Sequence, residues 1–336
     1  MKQDKILLGH GSGGKLMHDL IKNLMLKYFK NPYLDKLTDA AIIGLKNKRL
    51  AFTTDSFVVK PLFFPGGNIG KLAVVGTVND LVMMGARPLF LSCAMIIEEG
   101  FSISVLERIV KSMKEQAKET GVEIVTGDLK VVERGSCDGI FINTTGIGEV
   151  LDSAGLSTAK IKTGDKIIIN GSIGQHGLAV LSARNELDFD FKIKSDCAAL
   201  SKLILPLLKG DSGIKFMRDP TRGGLATTLN EVTDKTNLGI MLDEEKIPVP
   251  QSVKAGCEIL GLDPLYIANE GKVVMVTEGS KAKKTLARLK THPLGKNAKI
   301  IGEFVTKPRK KVCLKTAVGG IRIVDMLTSE ILPRIC

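Results

Sequence analysis

The chain has 336 residues, 44% hydrophobic and 25% charged, the composition of a folded protein and the length of about two domains of roughly 150 residues; a disordered or fibrous chain is excluded. Forty-eight Lys and Arg against 36 Asp and Glu give a net charge of +12, which draws polyanions. Those charges are spread along the chain, aromatics are 4% and Trp is absent, so no stacking platform for nucleic acid is expected. The longest stretch free of charged residues, Ile167 to Ala183, is broken by polar residues and glycines, and no basic, apolar leader opens the chain. Neither a membrane span nor secretion is expected, which places the protein in the cytoplasm. The six cysteines form no C-x-x-C pair and read as reduced.

In chain order, Leu50 to Val59 is expected to be a strand. Asn68 to Gly85, apolar nearly throughout, is expected to be a buried helix. Pro88 to Ile97 and Val122 to Val132 read as strands. Between them Ser104-Val-Leu-Glu107 has the pattern of a capping box, opening a helix with Leu106, Ile109, Val110, Met113 and Ala117 at helical spacing. Gly139 to Val150 is a further strand. After a polar, glycine-bearing boundary at 151–164, Lys166 to Asn170 reads as a strand followed by a helix to Arg184. Arg222 to Lys235 and the Lys-rich 281–290 read as helices, Gly239 to Leu242 and Lys272 to Thr277 as strands. The alternation gives an α/β fold with domains at 1–154 and 155–315. Residues 316–336 have weak periodicity and read as an arm.

Four features bear on chemistry. Gly9-His-Gly-Ser-Gly-Gly14-Lys15 matches both a phosphate-binding loop and a dinucleotide loop. Leu16 stands where the first needs Ser or Thr, and only Lys5 to Leu8 precedes the loop as the strand the second needs. What remains is a row of glycine N–H groups, Gly11, Gly13 and Gly14 among them, beside Lys15: an anion-binding concavity, or a flexible turn. Asp55, Asp80, Asp128 and Asp219 stand at the edges of apolar segments, Asp219 leading Asp-Pro-Thr221-Arg-Gly-Gly224. Singly each is a cap or turn residue; together they suggest magnesium ions bridging a triphosphate. Glu270, in Ile267-Ala-Asn-Glu-Gly271, is a general base or a solvent-facing turn residue. The chain ends Leu332-Pro-Arg-Ile-Cys336, with a free thiol that is either reactive or placed by chance. His10, His18, His176 and His292 show no metal-ligand spacing and are read as non-catalytic.

Taken together, Gly9–Lys15 with Leu16 to Ile21, Asn79-Asp-Leu81, Gly127-Asp-Leu-Lys130-Val-Val132, Asp219 to Thr228, Asn269-Glu-Gly271 and Pro333-Arg-Ile-Cys336 resemble the HypE family of hydrogenase-maturation proteins, within the AIR synthase superfamily. The likeness runs over essentially the whole chain. It implies a two-domain AIR synthase-like fold: an N-terminal ATP-binding domain whose sheet pairs with that of a second subunit, and a C-terminal α/β sandwich. It implies ATP and Mg2+ as cofactors. Asp55, Asp80, Asp128 and Asp219 match the metal and phosphate ligands, with Gly11, Gly13, Gly14, Lys15 and Thr221 at the nucleotide. Lys130 and Glu270 match the positions that handle protons. Cys336 matches the substrate-carrying thiol, on a mobile arm. A carbamoyltransferase (HypF) loads that thiol, the carbamoyl group is dehydrated to a thiocyanate, and the cyanide passes to a HypC–HypD scaffold. Leu129 departs from the small polar residue of the family's pattern. A small-molecule phosphotransferase of the same superfamily, of the selenophosphate synthetase or thiamine-phosphate kinase type, is the alternative activity. The first cysteine, Cys93, lies far from Gly9–Lys15 and argues against the selenophosphate type. A non-catalytic basic scaffold is a third reading.

Overall fold

The computed structural model describes residues 14–20, 22, 41–45, 48–184, 192–329, 331–332 and 334–336. Its first half runs α1 (Lys15–Leu20), β1 (Ala41–Leu45), β2 (Lys48–Phe57), a short hairpin β3 (Phe63–Phe64) and β4 (Gly67–Asn68), α2 (Ile69–Met83), β5 (Ala86–Glu98), α3 (Ile103–Thr120), β6 (Glu123–Val132) and β7 (Ile140–Val150). The five-stranded sheet has the order β1-β2-β7-β5-β6. Its pairs are antiparallel except β5–β6, which are parallel and joined through α3.

Helix α2 fixes the architecture. Asn68 caps it, its side chain accepting from the Lys71 N–H at 3.0 Å. Every residue of α2 except Lys71 and Asp80 is buried, which an apolar helix achieves only when covered on all sides. Strands β2, β5 and β7 cover one side and α3 another. The remaining side meets the second half of the chain.

That half runs β8 (Lys166–Ile169), α4 (Gln175–Ser182), α5 (Ser201–Leu208), β9 (Ile214–Arg218), α6 (Gly224–Asp234), β10 (Gly239–Asp243), α7 (Gln251–Leu260), β11 (Val274–Thr277), α8 (Ala282–Lys290), β12 (Lys299–Val305), β13 (Val312–Lys315) and β14 (Ile321–Ile323). Its sheet has the order β14-β13-β10-β12-β8-β11-β9. Strand alternation splits its residues between two cores. Ile168, Met217 and Met275 join Leu203, Ile204 and Leu207 of α5 in the core that also holds Leu72, Val75 and Leu81 of α2. Ile167, Ile169, Val274 and Val276 pack with Leu225, Leu229 and Val232 of α6. At about 1.5–3 kcal/mol for each such side chain, the shared core holds the two halves together. Among the described residues no helix is long and apolar enough to cross a membrane.

Three features differ from the sequence reading or go beyond it. Helix α3 starts at Ile103 with Ser102 as N-cap, so Ser104 lies inside it; the Ser102 and Ser104 hydroxyls bond each other at 2.9 Å and no side chain caps the first turn. The opposite face of the first sheet stays open. Phe52, Ile147 and Phe90 form one cross-strand row, Phe52 and Phe90 are each 43% exposed, and β6 has no buried residue. Finally, the C-terminal end is docked. The Val58 N–H donates to the Cys336 carbonyl at 3.1 Å and the Lys60 N–H to that of Arg334 at 3.2 Å, continuing the edge of β2 in antiparallel fashion. Its weak periodicity has a physical reason: the segment is held mainly through its backbone, which leaves little pattern in side chains.

Candidate active site

The site lies where the ends of β2 and α2 meet three loops of the second half. On α2, Asn79 is 1% exposed and acts as a rivet. Its Nδ2 donates to the carbonyls of Ala198 (3.1 Å) and Glu270 (3.3 Å), and its Oδ1 accepts from the Leu200 N–H (2.9 Å). The next residue, Asp80, accepts at Oδ2 from the Thr53 hydroxyl of β2 at 2.9 Å. Asp55 lies two residues further along β2, beyond Thr54.

The 219–224 loop joins β9 to α6 and needs its paired glycines. Gly224 has φ +60°, and a Cβ there would stand 2.6 Å from the Leu265 carbonyl oxygen and 2.7 Å from that of Ile267, closer than any side chain allows. Fully buried Asn269 ties this loop to the 267–271 loop. It donates through Nδ2 and its own N–H to the Pro220 carbonyl (3.0 and 3.2 Å) and accepts from the Gly174 N–H at 2.8 Å. Asp196 completes the frame. Its carboxylate accepts from the N–H groups of Glu270 (3.2 Å) and Gly271 (3.3 Å) and pairs with the Lys272 ammonium at 2.8 Å. Burial pushes the Asp196 carboxyl up, but the Lys272 ammonium and the hydrogen bonds it receives outweigh this and hold it below its ordinary value.

This frame carries a charged cluster. Glu270 is 4% exposed; burial, then Asp219, Asp55 and Asp196, push its carboxyl well above the ordinary value, opposed by Arg222. Burial raises Asp55 as well, against Arg222 and a 2.8 Å hydrogen bond from the Ser56 N–H. Cys336 is the strongest influence holding the Arg222 guanidinium in its charged form, followed, after the opposing effect of burial, by Asp55, Glu270 and Asp80. Asp55, Asp80, Asp219, Glu270, Arg222 and Cys336 therefore share one electrostatic field, with the chain's last residue inside it.

Other residues singled out in the sequence lie elsewhere. Asp128 and Lys130 are exposed on β6, 3.8 Å from each other. Strands β7 and β5 separate β6 from β2, about 14 Å at the usual strand spacing. Within one chain they do not join the cluster. Gly14 is buried and Lys15 exposed; the Lys15 N–H donates to the Leu327 carbonyl at 2.5 Å, and His18 of α1 pairs with Glu231 of α6 at 2.8 Å. The Thr221 carbonyl accepts from the Gly224 N–H at 3.0 Å. Gly11, Gly13 and His10 lie outside the described residues. Sequence reasoning passed over Arg222, although it stands inside the Asp-Pro-Thr-Arg-Gly-Gly block. It quoted Asn79 only within Asn79-Asp-Leu81, read His176 as non-catalytic, and had no signal for Asp196 and Lys272.

Among the described residues no three His, Cys, Asp or Glu side chains are arranged to hold a metal ion by themselves. Asp55, Asp80 and Asp219 remain hard oxygen donors in one field. That suits Mg2+, which is usually held by one or two carboxylates together with substrate phosphates.

Two family models match, described as AIR synthase related protein, N-terminal domain, over residues 37–150, and AIR synthase related protein, C-terminal domain, over 162–315. The carbamoyl dehydratase HypE of Cupriavidus necator is 48% identical over 337 aligned residues, spanning 100% of this chain and 96% of that protein. The chain belongs to the HypE family. Among solved structures, HypE in a HypE–HypF complex superposes with a TM-score of 0.87 at 53% identity, covering 92% of this chain and 99% of that one. A HypE–ATP complex superposes with a TM-score of 0.82 at 49% identity, covering 99% of this chain and 100% of that one. A family likeness this complete places the cluster in a fold of the HypE type.

Proposed function

We propose that this chain is an ATP-dependent carbamoyl dehydratase acting on its own C-terminal thiol in hydrogenase maturation. One observation carries the reading: the chain's last residue is docked on Val58, three residues beyond Asp55, and acts on Arg222 in the same field as Asp55, Asp80 and Glu270. The related HypE structure in complex with ATP supports nucleotide binding. The complex with HypF supports that protein as a partner; on this reading it loads the carbamoyl group and a HypC–HypD scaffold receives the cyanide.

The chemistry follows from the groups present. A thiocarbamate, R–S–C(=O)–NH2, loses water when its oxygen becomes a leaving group. Transfer of the ATP γ-phosphoryl group to that oxygen forms the O–P bond and releases ADP. The C–O bond then breaks with phosphate, and the nitrogen gives up two protons as the C≡N bond forms. Asp55, Asp80 and Asp219 would hold magnesium together with the nucleotide phosphates, and the ion would neutralise the triphosphate. Glu270, whose burial raises its proton affinity, is suited to take a proton from the nitrogen. Arg222 stabilises negative charge as the phosphate departs. Asp196 and Lys272 fix the backbone on either side of Glu270 and so set where its carboxyl points.

Asp128 and Lys130 enter this reading from a second copy. The open sheet face and the exposed β6, with Leu129 57% and Val131 63% exposed, support a homodimer in which each β6 reaches the other subunit's cluster. Lys130 then relays the second proton. The test is phosphate release. Carbamoyl-loaded protein with Mg-ATP is expected to release one phosphate per thiocyanate formed, and Cys336→Ala none above background. Undiminished turnover in Cys336→Ala would instead mark a small-molecule phosphotransferase.

A further inference from the structure

We infer that His176 is a positioning residue for this reaction: its imidazole holds the Ile335 carbonyl and so keeps the chain's last residue docked at the end of β2. The inference rests on the dehydratase reading for its purpose, and on geometry alone for the latch itself.

The geometry is closed on every side. His176 is fully buried near the start of α4. Its Nε2 lies 2.9 Å from the Ile335 carbonyl oxygen and its Nδ1 2.8 Å from the Ser195 hydroxyl. A carbonyl only accepts, so Nε2 carries the hydrogen. Nδ1 of the neutral ring is then the acceptor, so the Ser195 hydroxyl donates to it while its oxygen accepts from the Cys197 N–H at 3.1 Å. The serine thereby fixes the tautomer that the carbonyl requires. Burial lowers the imidazole's proton affinity, which keeps the ring neutral. The edge of Phe64, 5.5 Å away and at 81°, fixes the ring plane. Ile335 itself is 4% exposed and belongs to the shared core.

The last three carbonyls of the chain are all taken up by groups outside the arm. That of Arg334 accepts from the Lys60 N–H and from Arg184 Nη2 (3.0 Å), that of Ile335 from His176, and that of Cys336 from the Val58 N–H. Arg334 also donates to the Val58 carbonyl at 2.9 Å and pairs with Asp138. Val58 and Lys60 belong to the first half of the chain and His176 to the second. The docked end thus staples across the cleft, and the bond nearest the core comes from the imidazole. An arm that must also present its thiol to a loading enzyme has to break these bonds, so their strength sets how the thiol divides its time.

The test is alkylation of the full-length, uncarbamoylated protein by iodoacetamide, read peptide by peptide by mass spectrometry. His176→Ala is expected to speed modification of Cys336 about tenfold, equivalent to one hydrogen bond of about 1.4 kcal/mol. Buried Cys197, Cys257 and Cys313 should stay as unreactive as in wild type, which separates a released arm from a loosened fold. His176→Gln, whose amide N–H can reach the same carbonyl, should restore slow alkylation. With carbamoyl-loaded protein, His176→Ala should lower the single-turnover rate of water loss at saturating Mg-ATP and leave the KM for ATP unchanged. Should the alanine variant not fold, Ser195→Ala carries the test: it keeps the ring, removes the tautomer lock, and is expected to give a smaller acceleration. Equal Cys336 reactivity in wild type and the folded variants overturns the inference. Faster alkylation in variants of a wild type that never loses water would retire the dehydratase reading and leave the latch standing.

Discussion

Asn79→Ala tests how the site is joined to the fold. The side chain is buried and makes three hydrogen bonds, to the carbonyls of Ala198 and Glu270 and from the N–H of Leu200. Alanine removes all three and strands a buried N–H and two carbonyls without their partner. At about 1 kcal/mol for each bond, the loss is about 3 kcal/mol. An unfolding entropy of roughly 2.1 cal/mol/K per residue, over the 336 residues of this chain, gives roughly 0.7 kcal/mol/K and a Tm lowered by about 4 °C. Differential scanning calorimetry reads the shift directly. Because the lost bonds anchor Glu270 to α2 beside Asp80, ATP turnover should fall together with the Tm. A Tm within about 1 °C of wild type would refute the claim that Asn79 rivets the second half to α2.

Two further outcomes follow from the same structure. Glu270→Gln should abolish thiocyanate formation while stabilising the protein at neutral pH. The wild-type carboxyl has a folded-state pKa above the unfolded value of 4.5, so its contribution to stability is present below pH 4.5 and is lost as pH rises toward the folded pKa. Chemical denaturation should show the variant's advantage growing as pH increases above 4.5; an advantage that shrinks would contradict the assignment. Leu129→Asp together with Val131→Asp, on exposed β6, should convert a dimer to a monomer in sedimentation velocity and suppress turnover by removing Asp128 and Lys130 from the other subunit. A dimer with full activity would exclude β6 from the interface.

Much of the fold was legible in the chain. The apolar run at 69–83 gives a helix covered on all sides because apolar residues lie on every face of it and its buried polar side chains, Thr77 and Asn79, are hydrogen-bonded. The alternation in Leu50 to Val59 and Gly139 to Val150 matches neighbouring strands with one buried face. Asp80 is a carboxylate inside that helix, and Asp55, Asp219, Glu270 and Cys336 share its field. Asp128 reads like the other aspartates in sequence, yet β7 and β5 separate its strand from β2, because spacing along the chain says nothing about which edge of a sheet a strand occupies. Asp196, Lys272 and His176 were silent. Each acts by holding backbone or a partner that is remote in sequence, and such a role leaves no local pattern. The docked end was silent too, since it is held chiefly through its own carbonyls, which any residue supplies.

The central claim is that the terminal thiol carries an amide into the acidic cluster and loses water there at the expense of ATP. The most direct measurement is the intact mass of the C-terminal peptide from carbamoyl-loaded protein, before and after incubation with Mg-ATP. The account predicts that the peptide ending in Cys336 becomes lighter by one water, and that Glu270→Gln leaves it unchanged. A carbamoylated peptide whose mass stays constant while wild-type protein hydrolyses ATP would contradict it.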